Sequence, residues 1–129
     1  MGDRGSKLEL TPSESLELWR RVVLTSVRAH GPDLTARQLA LVLMVYMTPA
    51  PHTVRGLAGI LNISKPAITR ALDRLGKLGI VRRKVDEADR RSILVQRTVK
   101  GSVFLREFAD LVTETGRDLR AGEAKPPAA

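Results

Sequence analysis

Ser64-Lys65-Pro66-Ala67-Ile68-Thr69-Arg70-Ala71-Leu72-Asp73-Arg74-Leu75-Gly76-Lys77-Leu78-Gly79 is the stretch whose reading decides the fold. Ile68, Leu72, Leu75 and Leu78 recur at spacings of four, three and three, which puts them on one apolar stripe of a helix. Lys65, Thr69, Arg70, Asp73, Arg74 and Lys77 fall largely off that stripe. Ser64 suits the N-cap, and Pro66 the first turn, where a missing N–H costs nothing. Gly79 suits the left-handed stop after the last turn. The pattern predicts a helix over 65–78.

Upstream, Thr53-Val54-Arg55-Gly56-Leu57-Ala58-Gly59-Ile60-Leu61 reads as a shorter helix capped by Thr53, and Asn62-Ile63-Ser64 breaks the periodicity. Two short helices across such a turn form a helix-turn-helix, whose second helix can enter a DNA major groove. Each glycine inside the first helix costs roughly 1 kcal/mol relative to alanine. Gly59 is read as allowing close helix packing, and Gly56 has no sequence-level explanation. Downstream come Ile80-Val81-Arg82-Arg83-Lys84-Val85, the polar run Asp86-Glu87-Ala88-Asp89-Arg90-Arg91, and Ser92-Ile93-Leu94-Val95-Gln96-Arg97-Thr98. β-Branched residues flanking a polar turn read as a hairpin with its tip at 86–91. Helix-turn-helix and basic hairpin together make a winged helix.

These residues resemble the MarR family of winged-helix transcription regulators. The resemblance is carried by Leu34-Thr35-Ala36-Arg37-Gln38, Leu57-Ala58, Ile63-Ser64-Lys65, Ile68 to Leu75, Gly79-Ile80-Val81-Arg82-Arg83, Asp89-Arg90-Arg91 and Thr98-Val99-Lys100-Gly101. It covers roughly residues 34–108, and the order and spacing of the pieces carry it more than any one piece. It implies a mainly α fold with a small β-hairpin, the winged helix-turn-helix flanked by N- and C-terminal helices. It also implies a homodimer formed through the terminal regions and, as in many members, a small aromatic acid as effector, held between the terminal and DNA-binding parts. Arg97 departs from the apolar residue usual before the Thr98 position. The C-terminal helical region is shorter than is typical.

At 129 residues the chain is read as one domain over 11–120, long enough for a modest core. Aromatics make up 3%, so the core must be aliphatic. With no cysteine there is no disulfide, thiolate metal site or thiol redox switch, which excludes the peroxide-sensing route of some family members. His30 and His52 are too isolated for a metal site, and no cofactor is expected. No secretory signal is visible, and the nine-residue apolar run from Leu39 to Met47 falls well short of the ~20 residues that span a bilayer. A soluble, cytoplasmic protein without a membrane partner is the expectation. The net charge is +8, and residues 53–98 hold eleven Lys/Arg against four Asp/Glu, leaving only +1 for the rest of the chain. A charge excess confined to the helix-turn-helix and hairpin points to a polyanion.

Outside this stretch, residues 1–10 are polar and expected to be disordered, as is the tail 121–129. Thr11-Pro12-Ser13-Glu14 opens a helix over 12–30, stopped by Gly31-Pro32. Thr35 and Gln38 form a second capping box before the run to Met47, which is apolar on every side and reads as a helix buried all round. Core is the commoner meaning of such a run, and lining of an effector pocket by Met44, Tyr46 and Met47 is the alternative. Pro49-Ala50-Pro51-His52 is a stiff linker, with His52 at the surface. Thr98 caps a last helix over 99–120. Leu16, Trp19 and Val23 on the first helix and Phe104, Phe108 and Leu111 on the last are the dimer-interface candidates.

The expected DNA contacts follow from helix and groove chemistry. Helix N-termini attract phosphates, which places Thr53 and Ser64 near the backbone. Lys65, Pro66, Thr69 and Arg70 occupy the half of the second helix that approaches base edges. Arg70 matches the guanine acceptors, Thr69 suits a thymine methyl or a phosphate, and Arg74 a phosphate. The resemblance assigns Arg91, at the wing tip beside Arg90, to the minor groove. Asp89 is expected to hold it by a bidentate pair, a structural ion pair being compatible with that role. Arg82, Arg83 and Lys84 on the first wing strand are expected to serve the backbone. No aromatic lies between Thr53 and Thr98, which favours duplex DNA over single strands. The leading reading is a DNA-binding regulator, a repressor by choice. A winged helix recruited to a protein partner is the alternative, motivated by the broad apolar faces of the terminal helices. An enzyme is a poor third, because Asp86, Glu87 and Asp89 sit among arginines and there is no phosphate loop.

Overall fold

Two capping boxes start the first two helices. Thr11 accepts from the Glu14 amide and donates its own amide to the Glu14 carboxylate at 3.1 and 2.9 Å, which opens α1 (Pro12–Arg28) with proline in its first turn. Thr35 and Gln38 repeat the arrangement at 3.1 and 3.0 Å to open α2 (Ala36–Met47). Helix α1 stops two residues before the expected His30, because Ala29 is already extended ahead of Gly31-Pro32. The remaining elements are α3 (Val54–Leu61), α4 (Lys65–Lys77), β1 (Val81–Asp86), β2 (Asp89–Arg97) and α5 (Val99–Arg120). The computed structural model describes residues 9–122, so the disorder expected within 1–8 and 123–129 lies outside the described residues. The fold is mainly α with one small hairpin, a winged helix-turn-helix between terminal helices.

The chain divides into two units. In Pro32–Glu107, Leu41, Val42 and Val45 of α2 join Val54 and Leu57 of α3, Ile68, Leu72 and Leu75 of α4, and Ile80, Val81 and Val95 in one buried aliphatic cluster. Burying each such side chain is worth about 1.5–3 kcal/mol, so this cluster sets the angle between α3 and α4. Helix α2 packs centrally on α3, α4 and β2 but is not buried all round. Met47 is 74% exposed, because the run is longer than the face it buries. Phe104 and Leu105 at the start of α5 pack against the same cluster.

Asn62 in the left-handed region ends α3. At the end of α4, Gly79 (φ +76) turns the chain so that Ile80 N reaches Leu75 O and Gly79 N reaches Gly76 O, each at 3.0 Å. This double closure is the reason for glycine at 79. β1 and β2 pair antiparallel from Val81↔Arg97 to Val85↔Ile93, and then Asp86 pairs with Asp89. Arg90, Arg91 and Ser92 therefore form a bulge without partners on β1. The expected six-residue turn is in fact the two residues Glu87-Ala88. Asp86 accepts from the Ala88 amide at 2.9 Å and Asp89 from the Arg91 amide at 3.2 Å, and these local bonds let the chain reverse at once.

The linker before α3 joins this sheet, with a bridge between Thr53 and Leu94 and a 2.8 Å bond from Val95 N to His52 O. His52 is consequently buried, against the surface position expected for it. The Thr48 hydroxyl gives its hydrogen to Met44 O, so His52 Nε2, 3.2 Å from both Thr48 Oγ1 and Thr48 O, is the donor there.

The second unit joins residues 9–31 to 108–122. Val22, Thr115 and Leu119 are its buried residues, and the Thr115 hydroxyl is satisfied by Leu111 O at 2.8 Å. On α1, Arg20 and then Arg21 hydrogen-bond Glu17 and hold its carboxyl down at about 2.

Candidate nucleic-acid interface

Helix α4 divides by chemistry. Ala67, Ile68, Ala71, Leu72 and Leu75 are buried, Thr69 is half-buried, and Lys65, Pro66, Arg70, Asp73, Arg74 and Lys77 are exposed. The core fixes the helix by its apolar side and leaves the cationic side to solvent. Lys65, Arg70 and Arg74 carry no side-chain partner among the described residues. Ser64 accepts from the Ala67 amide at 3.2 Å and Thr53 from the Gly56 amide at 2.9 Å, so the hydroxyl hydrogen of each cap is left to donate. The Thr53 cap also accounts for Gly56, where a Cβ would lie 3.0 Å from Thr53 Oγ1. Gly59 has open space beside it instead of the close packing expected.

The wing arginines are all engaged. Arg82 Nε donates to Gln96 Oε1 at 3.1 Å across the hairpin, while Arg83 Nη2 reaches Asp73 Oδ1 of α4 at 2.7 Å. Sequence reading treats these neighbours alike, but strand alternation sends them to opposite faces. Arg90 Nη1 pairs with Glu87 at 3.0 Å. The Arg91–Asp89 pair is not the bidentate fork expected. One oxygen, Asp89 Oδ1, serves both the Arg91 amide and Arg91 Nε, the latter at 3.4 Å. The shared oxygen already accepts from the Arg91 amide, and the Arg91 side chain stays 94% exposed.

The base of the wing is held by residues whose bonds to one another sequence reasoning missed. Tyr46 Oη donates to Ile80 O at 2.6 Å and accepts from the Thr98 amide at 2.9 Å. The Thr98 hydroxyl donates to Gly79 O at 2.6 Å and accepts from the Gly101 amide at 2.9 Å, capping α5 as expected. Gly101 is required here, since a Cβ would lie 1.8 Å from Tyr46 Oη and 2.2 Å from Ile80 O. A tyrosine hydroxyl inside an apolar run was the signal available, because a buried O–H needs a partner. Arg97 turns back onto α2. Its Nε donates to Val45 O at 3.0 Å and its Nη2 to Thr48 O at 3.2 Å, satisfying the C-terminal carbonyls of α2, with the guanidinium 5.8 Å from the Tyr46 ring centre.

Of the dimer candidates, Leu16, Trp19 and Val23 are exposed on α1, and Leu24 and Val27 extend the apolar stripe. Phe104, Phe108 and Leu111 are all half-buried, and Phe104 also packs against the aliphatic cluster. An open groove of about 500 Å³ lies within the 32–107 unit, lined by residues including Val45, Pro51, His52, Arg82, Gln96 and Arg97. Among the described residues no group of His, Asp or Glu could hold a metal, and no helix is long and apolar enough to cross a membrane.

Solved structures share this architecture. The crystal structure of MarR is 26% identical, with 89% of this chain and 85% of that one covered at a TM-score of 0.63. A MarR transcriptional regulator from Methanosarcina mazei Go1 is 25% identical over 84% and 78% of the two chains, at a TM-score of 0.62. The S. aureus MepR–DNA complex, at 18% identity, shares the fold over 86% of each chain at a TM-score of 0.66. The family model described as the MarR family matches residues 22–93, more than half of the sequence. With its capped α4 and hairpin wing, the chain belongs to the MarR family of DNA-binding transcription regulators and is not an enzyme.

Proposed function

We propose that this chain is a cytoplasmic, homodimeric repressor that binds a pseudo-palindromic duplex with α4 in the major groove and the Arg90–Arg91 bulge in the minor groove. The observation that carries the reading is the set of exposed cations Lys65, Arg70 and Arg74, without side-chain partners among the described residues, on the solvent side of a helix whose other side is locked in the core. Arg70 reads a guanine. Lys65, Arg74 and the capping hydroxyls of Ser64 and Thr53 hold phosphates, and Thr69 touches a thymine methyl or a phosphate. A guanidinium as exposed as that of Arg91 suits a narrow minor groove with high negative potential. The exposed stripe of Leu16, Trp19, Val23 and Val27 supports pairing with a second copy. Family likeness supports release by a small-molecule effector.

Titration of mixed-sequence duplexes at two salt concentrations tests the reading. Binding should be measurable at low salt and fall steeply as salt rises, by roughly 0.9 log units per phosphate contact for each tenfold increase. No binding at low salt, or binding indifferent to salt, would count against it. The same apolar stripe motivates the second reading, a module that docks on a protein partner. Reversing the charge of Arg70 and Arg91 separates the two, since a protein-docking function would survive that change.

A further inference from the structure

Asp73 is the one carboxylate on α4, and it sits in sequence between Arg70 and Arg74, where a negative charge facing DNA is repelled. It does not stand alone, because Arg83 Nη2 of β1 reaches its Oδ1 at 2.7 Å. The other ion pairs described above, Glu17 with Arg20 and Arg21, Glu87 with Arg90 and Asp89 with Arg91, stay within one helix or one hairpin. Arg83 is placed for this link by its strand. Its neighbours in alternation, Val81 and Val85, and its cross-strand partner Val95 share its face of the sheet, and Val81 and Val95 are buried in the core beside α4. From that face the Arg83 side chain, about a third exposed, reaches Asp73.

We propose that Asp73 and Arg83 form a strut between the recognition helix and the wing, so that Arg83 is a positioning residue for DNA readout and not a phosphate contact. The pair is neutral as a unit. It cancels the repulsion of Asp73 and fixes the reach of the hairpin relative to α4. The alternative, Arg83 on a phosphate, would leave Asp73 uncompensated at the interface. The proposal rests on the duplex-binding reading above.

The test uses the full chain and a duplex selected by the wild-type protein from a random library, with Arg83→Gln, Asp73→Asn and the double variant. Affinity is measured at several salt concentrations, and the duplex is footprinted with hydroxyl radicals. A strut predicts that each single variant weakens binding about two- to five-fold, the range of exposed ion pairs. The double variant should be no weaker than either single one. The salt slope of Arg83→Gln should match that of the wild type, while protection fades over the flanks where the wing lies and persists where α4 lies. Asp73→Asn, a change at an exposed helix position, keeps the test decisive if Arg83→Gln proves unstable. A slope lowered by about 0.9 in Arg83→Gln, additive losses, or footprints unchanged in both variants would overturn the strut. Failure of the wild type to bind any duplex would instead remove the functional reading beneath it.

Discussion

The recognition helix and the wing are the two most basic parts of the molecule, and they keep their cations differently. On α4, Lys65, Arg70 and Arg74 have no side-chain partner among the described residues, and order comes from the buried apolar side. In the wing, Arg82, Arg83, Arg90 and Arg91 are each bonded to a neighbour. The hairpin is tied at its base by Tyr46, Thr98 and Gly101. A helix packed on a core can leave its charges free because its backbone is already fixed. A two-stranded hairpin is marginal by itself, so its charged side chains are recruited to hold it.

Breaking the base of the wing should have the largest effect. Gly101→Ala would push a methyl into Tyr46 Oη and the Ile80 carbonyl, at 1.8 and 2.2 Å, and the backbone carbonyl cannot step aside. A loss of about 3 kcal/mol is expected, at the upper end for overpacking, and urea unfolding measures it. Adding Tyr46→Phe should recover only part of the loss, since the clash with Ile80 O remains. Next in size, Arg70→Ala should cost about 1–3 kcal/mol of discrimination between a selected duplex and one changed at the contacted base pair, with melting unaffected. Arg90→Ala removes an exposed pair with Glu87 and one of the two wing-tip cations, so it should weaken binding to every duplex by a smaller amount without changing base preference.

A smaller effect of opposite sign is expected at Gly59. It lies in a helix with open space where a Cβ would go, so Gly59→Ala should stabilise the protein by about 0.5–1 kcal/mol. The smallest effect lies outside both basic elements. Hydrogen bonds from Arg20 and Arg21 lower the Glu17 carboxyl from 4.5 to about 2. A depressed carboxyl contributes stability that is complete above 4.5 and lost as pH falls toward 2. The melting difference between wild type and Glu17→Gln should therefore shrink from pH 5 to pH 2.5 and be small throughout, because the group is exposed.

Periodicity and caps made the helices legible. Thr11, Thr35, Thr53, Ser64 and Gly79 each do locally what their residue type allows, so the helix-turn-helix could be read before any tertiary contact was known. The wing was less legible because its geometry depends on bonds that composition does not reveal. Asp86 and Asp89 look like loop residues, yet they close a two-residue turn and start a strand. Composition likewise does not reveal that Arg97 bonds α2 carbonyls and Arg83 bonds Asp73. His52 and Tyr46 gave little warning, because their partners lie on backbone that only the fold brings near.

The central claim, that the free cations of α4 read a duplex, is tested most directly by selecting bound sequences from a random duplex library with the wild-type chain and with Arg70→Ala. The account predicts a two-fold symmetric motif with half-sites about 10 base pairs apart, and loss of preference at one base pair in each half-site for the variant. A library returned without enrichment, or the same motif from both proteins, would contradict it.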